Sequence, residues 1–409
     1  MADVFDAINV WLLEEALGDH GLTQIIEGLA ERLKDGGLPI TRINTGRTIL
    51  HPLFGLIDCE WHSDRPTTRT NMVARDQINR DMFVGTPFGE MSDGKDGTNG
   101  VLVADLTDPK ERAKYGIFER LAKDGMTGYA AFVSQFGTEQ LLFENFTEGF
   151  RGANISFATR RFSGFSQADI DGLARIVPAF MVCARIDNER MVAAGVVDTY
   201  LGPITGQRVL TGQIARGDAQ SIECVLLMSD MRGSVSISQS QDMKGYVDTL
   251  NGYFDCTAKA VMEHGGEVLK FIGDGVLAIF PIDDQLRSRP AMCAAALSSA
   301  REAFARAIHL NTQRAAADLP HIDFGIALHV GQVIYGNVGV PKRLDFTATG
   351  AAVGLVSRCE ALTRSLDSPL LATQDFAQHC TDVATPLGHH ELRGFEDGIE
   401  LVAYSTTPD

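Results

Sequence analysis

Three residues in the second half of the chain have types and settings that could do chemistry: Asp230, Lys270 and Asp274. The run VLLMSD is apolar until it ends on Ser229–Asp230 and opens into Met231–Arg232–Gly233. An acid where a buried strand meets a glycine turn can hold a cation over backbone amides, although by itself such an Asp more often only shapes the turn. In EVLKFIGDGVLAIF two apolar runs are joined by Gly273–Asp274–Gly275, a tight-hairpin signal. Period-two alternation predicts Val268, Lys270 and Ile272 on one face, with Leu269 and Phe271 on the other. A lysine in such a strand is costly to bury unpaired, so its ammonium either reaches solvent at a sheet edge or serves a polar site. Two carboxylates at strand ends suit a pair of hard divalent cations, because magnesium combines a few carboxylates with substrate phosphate oxygens. Such a pair can activate an attacking hydroxyl and neutralise a leaving phosphate.

The elements that must position these residues alternate in type. IECVLLMSD reads as a strand, 241–264 as a helix, the lysine-bearing run as a hairpin, 290–315 as a helix, HIDFGIALHVG as a strand and 350–366 as a helix. That is an α/β or α+β pattern around one sheet. Upstream, 1–34 reads as helical with a break at Gly18–Gly21, followed by strand-like runs at 40–44 and 53–61 and a glycine-rich stretch at 85–100. VLVADL, a helical segment at 109–123, and the runs YAAFVSQF, EQLLFENF and NISFATRR complete a second α+β pattern. Ser166, with Asp169 three residues on, predicts the cap of a closing helix. Along it Ile170, Leu173, Val177, Phe180, Ala184 and Met191 form a partial heptad that Asp187 interrupts, and Pro178 predicts a kink or a break. The pattern fits either a short helical dimer or packing on its own domain. The segment 199–220 is rich in Gly, Thr and Arg and lacks periodicity, which puts a domain junction there.

Composition bounds the reading. A chain of 409 residues, 44% hydrophobic and 22% charged, can build two or three cores. A net charge of −17 argues against a nucleic-acid backbone or an anionic membrane surface as partner, since both select clustered Lys and Arg. The seven cysteines are scattered without a CxxC pair, so they read as free thiols rather than a disulfide framework or a zinc knuckle. No basic leader and no apolar run of about eighteen residues is visible, which predicts a cytoplasmic protein without a membrane span. Cys59, Glu60, Trp61 and His62 could suggest a haem or metal site, but neighbours on a strand point to opposite faces and no partner cluster exists. His51 and His329 read likewise as core or surface histidines.

The runs SDMRG, LNGYFD, HGGEVLKFIGDGVLAIF, GIALHVGQVIYGNVG and RLDFTATGAAVGLVSRCEAL, in that order, resemble the catalytic domain of class III adenylate and guanylate cyclases over nearly all of 218–409. The resemblance implies a ferredoxin-like fold and a head-to-tail homodimer with composite sites. Asp230 and Asp274 match the metal-binding aspartates, two Mg2+ or Mn2+ ions per site being implied. Lys270 matches the adenine-recognising lysine and Thr347 the second purine-selecting position. Guanylate-specific members usually carry Glu and Cys there, so Lys270 favours ATP as substrate. Arg358 matches the arginine that stabilises charge on the transferring phosphoryl group. Two positions depart from the family: Gly354 stands where Asn usually orients the ribose, and Ser234 where Phe is common. A lost positioning amide costs about 10- to 100-fold in rate. Besides an adenylate cyclase, the alternatives are a weak or degenerate cyclase acting as a nucleotide-binding regulator, and a guanylate cyclase.

Residues 153–186 resemble the end of a GAF domain. The implied organisation is a GAF-like sensory domain over 1–186 that takes a small ligand or signal, a helical transducer over 187–217, and the cyclase domain over 218–409.

Overall fold

The computed structural model describes residues 3–65, 67–78, 82–92, 100–137, 151–283, 286–395 and 397–407. The predicted strand EQLLFENF, 139–146, lies outside them. The chain forms two compact units, Met1–Val196 and Val197–Asp409, both mixed α+β with largely antiparallel sheets.

In the first unit, helices α1 (Val4–Leu17) and α2 (Leu22–Asp35) flank the break at Gly18–Gly21. Strands β1 (Arg42–Thr48), β2 (Phe54–His62) and β3 (Arg69–Ala74) follow, then α3 (Pro87–Ser92), β4 (Val101–Asp105), α4 (Pro109–Arg112) and α5 (Gly116–Lys123). Strands β5 (Gly128–Gln135) and β6 (Gly152–Thr159) lead into the long helix α6 (Gln167–Leu201). The sheet runs β3-β2-β1-β6-β5-β4. One face is apolar and packs Ile43, Ile57, Ile155 and Phe157 against α1, α2 and α6.

Helix α6 starts as its sequence predicts: Ser166 N and Oγ both donate to Asp169 Oδ2 at 2.7 Å. It continues through Pro178 without a break. Proline forfeits one helical hydrogen bond at a cost of about 3 kcal/mol. Burial of Leu173, Ile176, Val177 and Phe180 on either side of it, at about 1.5–3 kcal/mol each, outweighs that loss. Ile170, Leu173, Val177, Phe180 and Ala184 all enter the core of the first unit, so packing on the helix's own domain accounts for the partial heptad. Asp187 interrupts the pattern because it is an ion-pair partner: it bonds the guanidinium of Arg47, which is only 2% exposed, and accepts from Leu22 N.

The second unit opens with α7 (Pro203–Leu210), inside the stretch that looks aperiodic in sequence. Its anchor is polar, which hides it from a hydrophobic pattern. Thr205 donates from N at 3.0 Å and from Oγ1 at 2.5 Å to the buried Glu267, which also accepts from Tyr335 OH at 2.8 Å. Then come β7 (Ala219–Met231), α8 (Ser234–Ser240), α9 (Met243–Glu263), the hairpin β8 (Glu267–Ile272) and β9 (Gly275–Pro281), and α10 (Arg289–Ala316). The long β10 (Phe324–Val340) and β11 (Arg343–Thr349) form a second hairpin, followed by α11 (Ala351–Leu362), β12 (Leu370–Thr373), α12 (Gln374–Ala377), β13 (Thr385–His390) and β14 (Ile399–Ala403). The sheet order is β13-β14-β12-β10-β7-β9-β8, with β11 paired to β10.

Helices cover both faces of this sheet. Along β7, Val225, Leu227 and Met231 enter the core shared with α9 and α10, while Cys224 and Leu226 enter the core shared with α11. The period of two therefore assigns Ser229 to the α9 side and Asp230 to the α11 side. All seven cysteines are free, six of them buried, and no helix among the described residues is long and apolar enough to cross a membrane.

Candidate active site

Asp230 is the last residue but one of β7, at a point where two neighbouring strands carry glycine. It lies opposite Gly325 on β10 and Gly275 on β9. A β-carbon at Gly275 would stand 3.3 Å from Asp230 Oδ1, so glycine leaves the carboxylate its room. The hairpin turns through Gly273, at φ +64°, and Asp274; a positive φ at the first central residue alone is the type II′ pattern. That turn brings Asp274 beside Asp230, and Asp274 O accepts from Met231 N at 3.3 Å. Burial, reinforced by the Asp274 charge and opposed by the Met231 N–H, raises the pKa of Asp230. Neither aspartate bonds a cationic side chain among the described residues. Ser229, on the other face, bonds Tyr253 OH at 2.8 Å and pins the strand end to α9.

Behind the pair lies an acid that sequence inspection passes over. Glu360, on α11, is 9% exposed. Burial first, then the charge of Asp230, pushes it up to about 7, against a bond from Thr363 and the nearby Arg232. A β-carbon at Gly325 would lie 2.7 Å from Glu360 Oε1 and 2.2 Å from Thr363 Oγ1, so this strand glycine exists to admit them. Arg232 donates from its backbone N to Asp323 O at 2.8 Å and tethers the loop after β7. Ser234 is the first residue of α8, following Gly233 at φ +71°.

Lys270 lies on β8, the edge strand, and donates to Asp345 Oδ2 at 2.8 Å with the pair 31% and 51% exposed. The simple alternation expected for this strand fails. The register shifts between Val268 and Lys270, so a bulge at Leu269 resets the phase. Val268 packs on the α9–α10 core and the Phe271 ring lies tilted against Phe254, centroids 4.3 Å apart, which leaves Lys270 on the face opposite Val268. Thr347 sits on β11 opposite Gly336, nearly buried. Asp345 stands two residues before it in RLDFTATG, and nothing local in the sequence marks it as a lysine partner 75 residues away.

Gly354 and Arg358 occupy successive turns of α11. Arg358 Nη1 donates to Gly354 O at 2.8 Å and its guanidinium lies 5.6 Å from the Phe395 ring centre. A β-carbon at 354 would stand 3.0 Å from that same nitrogen. Asp230 joins Asp274, Lys270 joins Asp345 near Thr347, and Arg358 joins Gly354. No hydrogen bond or ion pair links these three groups within one chain among the described residues. His329, as expected, is a core histidine: its Nδ1 bonds Thr373 Oγ1 at 2.9 Å and burial lowers it to about 4. Cys59, Glu60 and His62 do not converge either, since Glu60 is held by Arg42 and Arg65 while His62 Nδ1 accepts from Asp64 N.

The carboxylates fit hard cations in number and chemistry. Among the described residues no three His, Cys, Asp or Glu cluster as a self-sufficient metal cage. Two carboxylates side by side at one sheet end, the Asp230 pKa raised by burial and by the Asp274 charge, suit ions whose remaining ligands are water and phosphate.

No family model matches the chain. An adenylate cyclase of Anabaena cylindrica is 32% identical over 163 residues, 40% of this chain and 32% of the relative. Adenylate cyclase 1 of Rhizobium meliloti (strain 1021) is 28% identical over 184 residues, 44% of this chain and 27% of the relative. The chain thus spans about a third of the length of the curated relatives it matches. Among solved structures, a bacterial light-regulated adenylyl cyclase is 28% identical, with a TM-score of 0.40 over 46% of this chain and 92% of that one. Over less than half of its length the chain is thus similar to adenylate cyclases, and the runs that resemble a class III cyclase catalytic domain lie in its second unit.

Proposed function

We propose that the second unit converts ATP to 3′,5′-cyclic AMP and pyrophosphate at sites composed by two copies of the chain. The observation that carries this reading is the pairing of Asp230 and Asp274 at one sheet end, without a cationic partner among the described residues. These two carboxylates would hold magnesium or manganese, two ions per site, which when bound supply counter-charge to the triphosphate and acidify the attacking hydroxyl.

The ribose 3′-oxygen attacks the α-phosphorus in line, and pyrophosphate leaves. Arg358 neutralises charge on the transferring phosphoryl group, its bond to Gly354 O being exchanged for phosphate oxygens. Lys270 donates to a ring nitrogen of adenine, with Asp345 fixing the ammonium, and Thr347 closes the purine edge. Because the aspartates, Lys270 and Arg358 are not bonded to one another within one chain, a second copy supplying the complementary half is the simplest way to complete the site. The first unit acts as a GAF-like regulator, with ligand or signal changing how two catalytic units face each other.

Purified full-length protein with ATP or GTP, and with magnesium or manganese, is expected to form cyclic AMP in preference to cyclic GMP. No cyclic product under either metal would refute the enzyme in favour of a nucleotide-binding regulator. Preference for GTP would overturn the role of Lys270. Asp274→Ala should abolish turnover while leaving the fold intact, and unchanged turnover would show the metal site to be misassigned.

A further inference from the structure

Two of the seven cysteines meet in the second unit, and the cyclase reading does not use them. Cys293 lies on α10 and is fully buried. Cys380 follows α12, its backbone N donating to Ala377 O at 3.1 Å. Both pack in the core shared by α9 and α10, and the Cys293 thiol donates to the Cys380 sulfur. An isolated buried thiol packs as a small apolar group, whereas two thiols in contact can be joined by oxidation.

Cys380 also has the surroundings of a reactive thiol. It is the only one of the seven that is not buried, so a small oxidant in water can reach it. The Tyr404 hydroxyl, buried and without an oxygen or nitrogen partner among the described residues, faces its sulfur. Arg301 lies on α10 about two turns beyond Cys293 and is 9% exposed. It donates to Asp382 Oδ1 at 2.5 Å and to Ser405 O at 3.2 Å, while its Nη2 has no partner among the described residues. The bond from Cys293 lowers the pKa of Cys380 against the effect of burial, with Tyr404 and Arg301 on the lowering side and Asp382 opposed. Elsewhere burial wins: it pushes Cys183 and Cys256 up to about 11, and Cys224 and Cys359 up to about 12. Exposure, nearby donors and a neighbouring cation are what favour the thiolate, the nucleophilic form.

We infer that Cys380 is a peroxide-reactive thiol and that Cys293 resolves it into an intramolecular disulfide. The Cys380 thiolate, its proton released to water, attacks one oxygen of hydrogen peroxide. The S–O bond forms, the O–O bond breaks, and the departing hydroxide takes up a proton to become water. The Cys293 sulfur then attacks the Cys380 sulfur. The S–S bond forms, the S–O bond breaks, and the hydroxyl leaves with the Cys293 proton as a second water. The thiol pair loses two electrons and the peroxide is reduced to two waters. A dithiol reductant reverses the bond by exchange.

The test treats the reduced full-length protein with hydrogen peroxide for short times, quenches with N-ethylmaleimide and maps the digested peptides by mass spectrometry. The peptides carrying Cys293 and Cys380 are expected to link at least about tenfold faster than any other cysteine is oxidised, and dithiothreitol should separate them. Cys293→Ser should halt at the Cys380 sulfenic acid, captured by dimedone, and Cys380→Ser should leave Cys293 unreacted. Tyr404→Phe, which deletes one donor to the sulfur, should slow oxidation of Cys380 by about threefold. Unchanged calorimetric melting is the folding control. If a cysteine variant fails to fold, the peptide map of the parent and Tyr404→Phe still decide the matter. Oxidation of Cys380 no faster than that of the buried cysteines would overturn the proposal. So would a parent protein that stops at the sulfenic acid, a disulfide to any other cysteine or between two chains, or an unchanged rate in Tyr404→Phe. None of these readouts depends on cyclase turnover.

Discussion

Glu360 offers a test of the electrostatics around the aspartate pair. Its ordinary value is 4.5 and the fold pushes it up to about 7, chiefly through burial and next through Asp230. At 1.36 kcal/mol per pH unit, keeping this nearly buried carboxylate ionised costs the metal-free protein about 3 kcal/mol. The sign follows from linkage. Between pH 4.5 and about 7 the folded state binds the proton and the unfolded state does not, so this contribution is fully present below 4.5 and is lost as pH rises through 7. Glu360→Gln mimics the protonated acid without titrating. It should leave stability at pH 4 nearly unchanged and raise it at pH 8 by roughly 2–3 kcal/mol, a shift of about 5–10 °C for a unit of this size. The assay is scanning calorimetry with a chelator present. Both tryptophans, Trp11 and Trp61, lie in the first unit, so intrinsic fluorescence would follow the wrong transition. A variant less stable than the parent at pH 8, or one with the parent's full pH dependence, would refute the reasoning. Saturating magnesium should shrink the parent's pH dependence, because charge neutralised at Asp230 no longer opposes ionisation of Glu360.

Two further outcomes follow from the purine side and from α11. Asp345→Asn should cost under about 1 kcal/mol in stability, since an ion pair this exposed contributes little. It should nevertheless narrow the preference for ATP over GTP by about tenfold, checked by the ratio of kcat/KM values; an unchanged ratio would mean Asp345 does not position Lys270. Gly354→Asn should raise turnover by about tenfold, because the new side chain displaces Arg358 Nη1 from the helix carbonyl and restores an amide toward the ribose. Lower turnover would show that α11 is adapted to glycine at this position.

Local signals in the sequence mark most of the elements and the acids themselves. The Ser166–Asp169 box starts α6, the Gly18–Gly21 break separates α1 from α2, and Gly273–Asp274 turns the β8–β9 hairpin, each because a cap or a turn depends on residues a few positions apart. Long-range partners leave no such trace. Pro178 predicts an interruption that core packing overrides. The bulge at Leu269 changes the face on which Lys270 stands, and helix α7 hides behind polar anchors contributed by Glu267 and Tyr335.

Asp230, Asp274, Lys270, Thr347, Gly354 and Arg358 can all be picked out from type and motif. Their surroundings cannot, because Asp345, Glu360 and Gly325 reach the site only through strand register and through the packing of α11 across the sheet. The sequence by itself determined which residues have types that suit the proposed nucleotide cyclisation. Only the tertiary structure decided which carboxylates share a charge environment, what holds Lys270, and that one chain leaves its aspartates, lysine and arginine in separate groups. The reason is physical: a carboxylate's pKa, an ion pair and a cleared β-carbon position depend on distances between atoms far apart along the chain, and folding alone sets those distances.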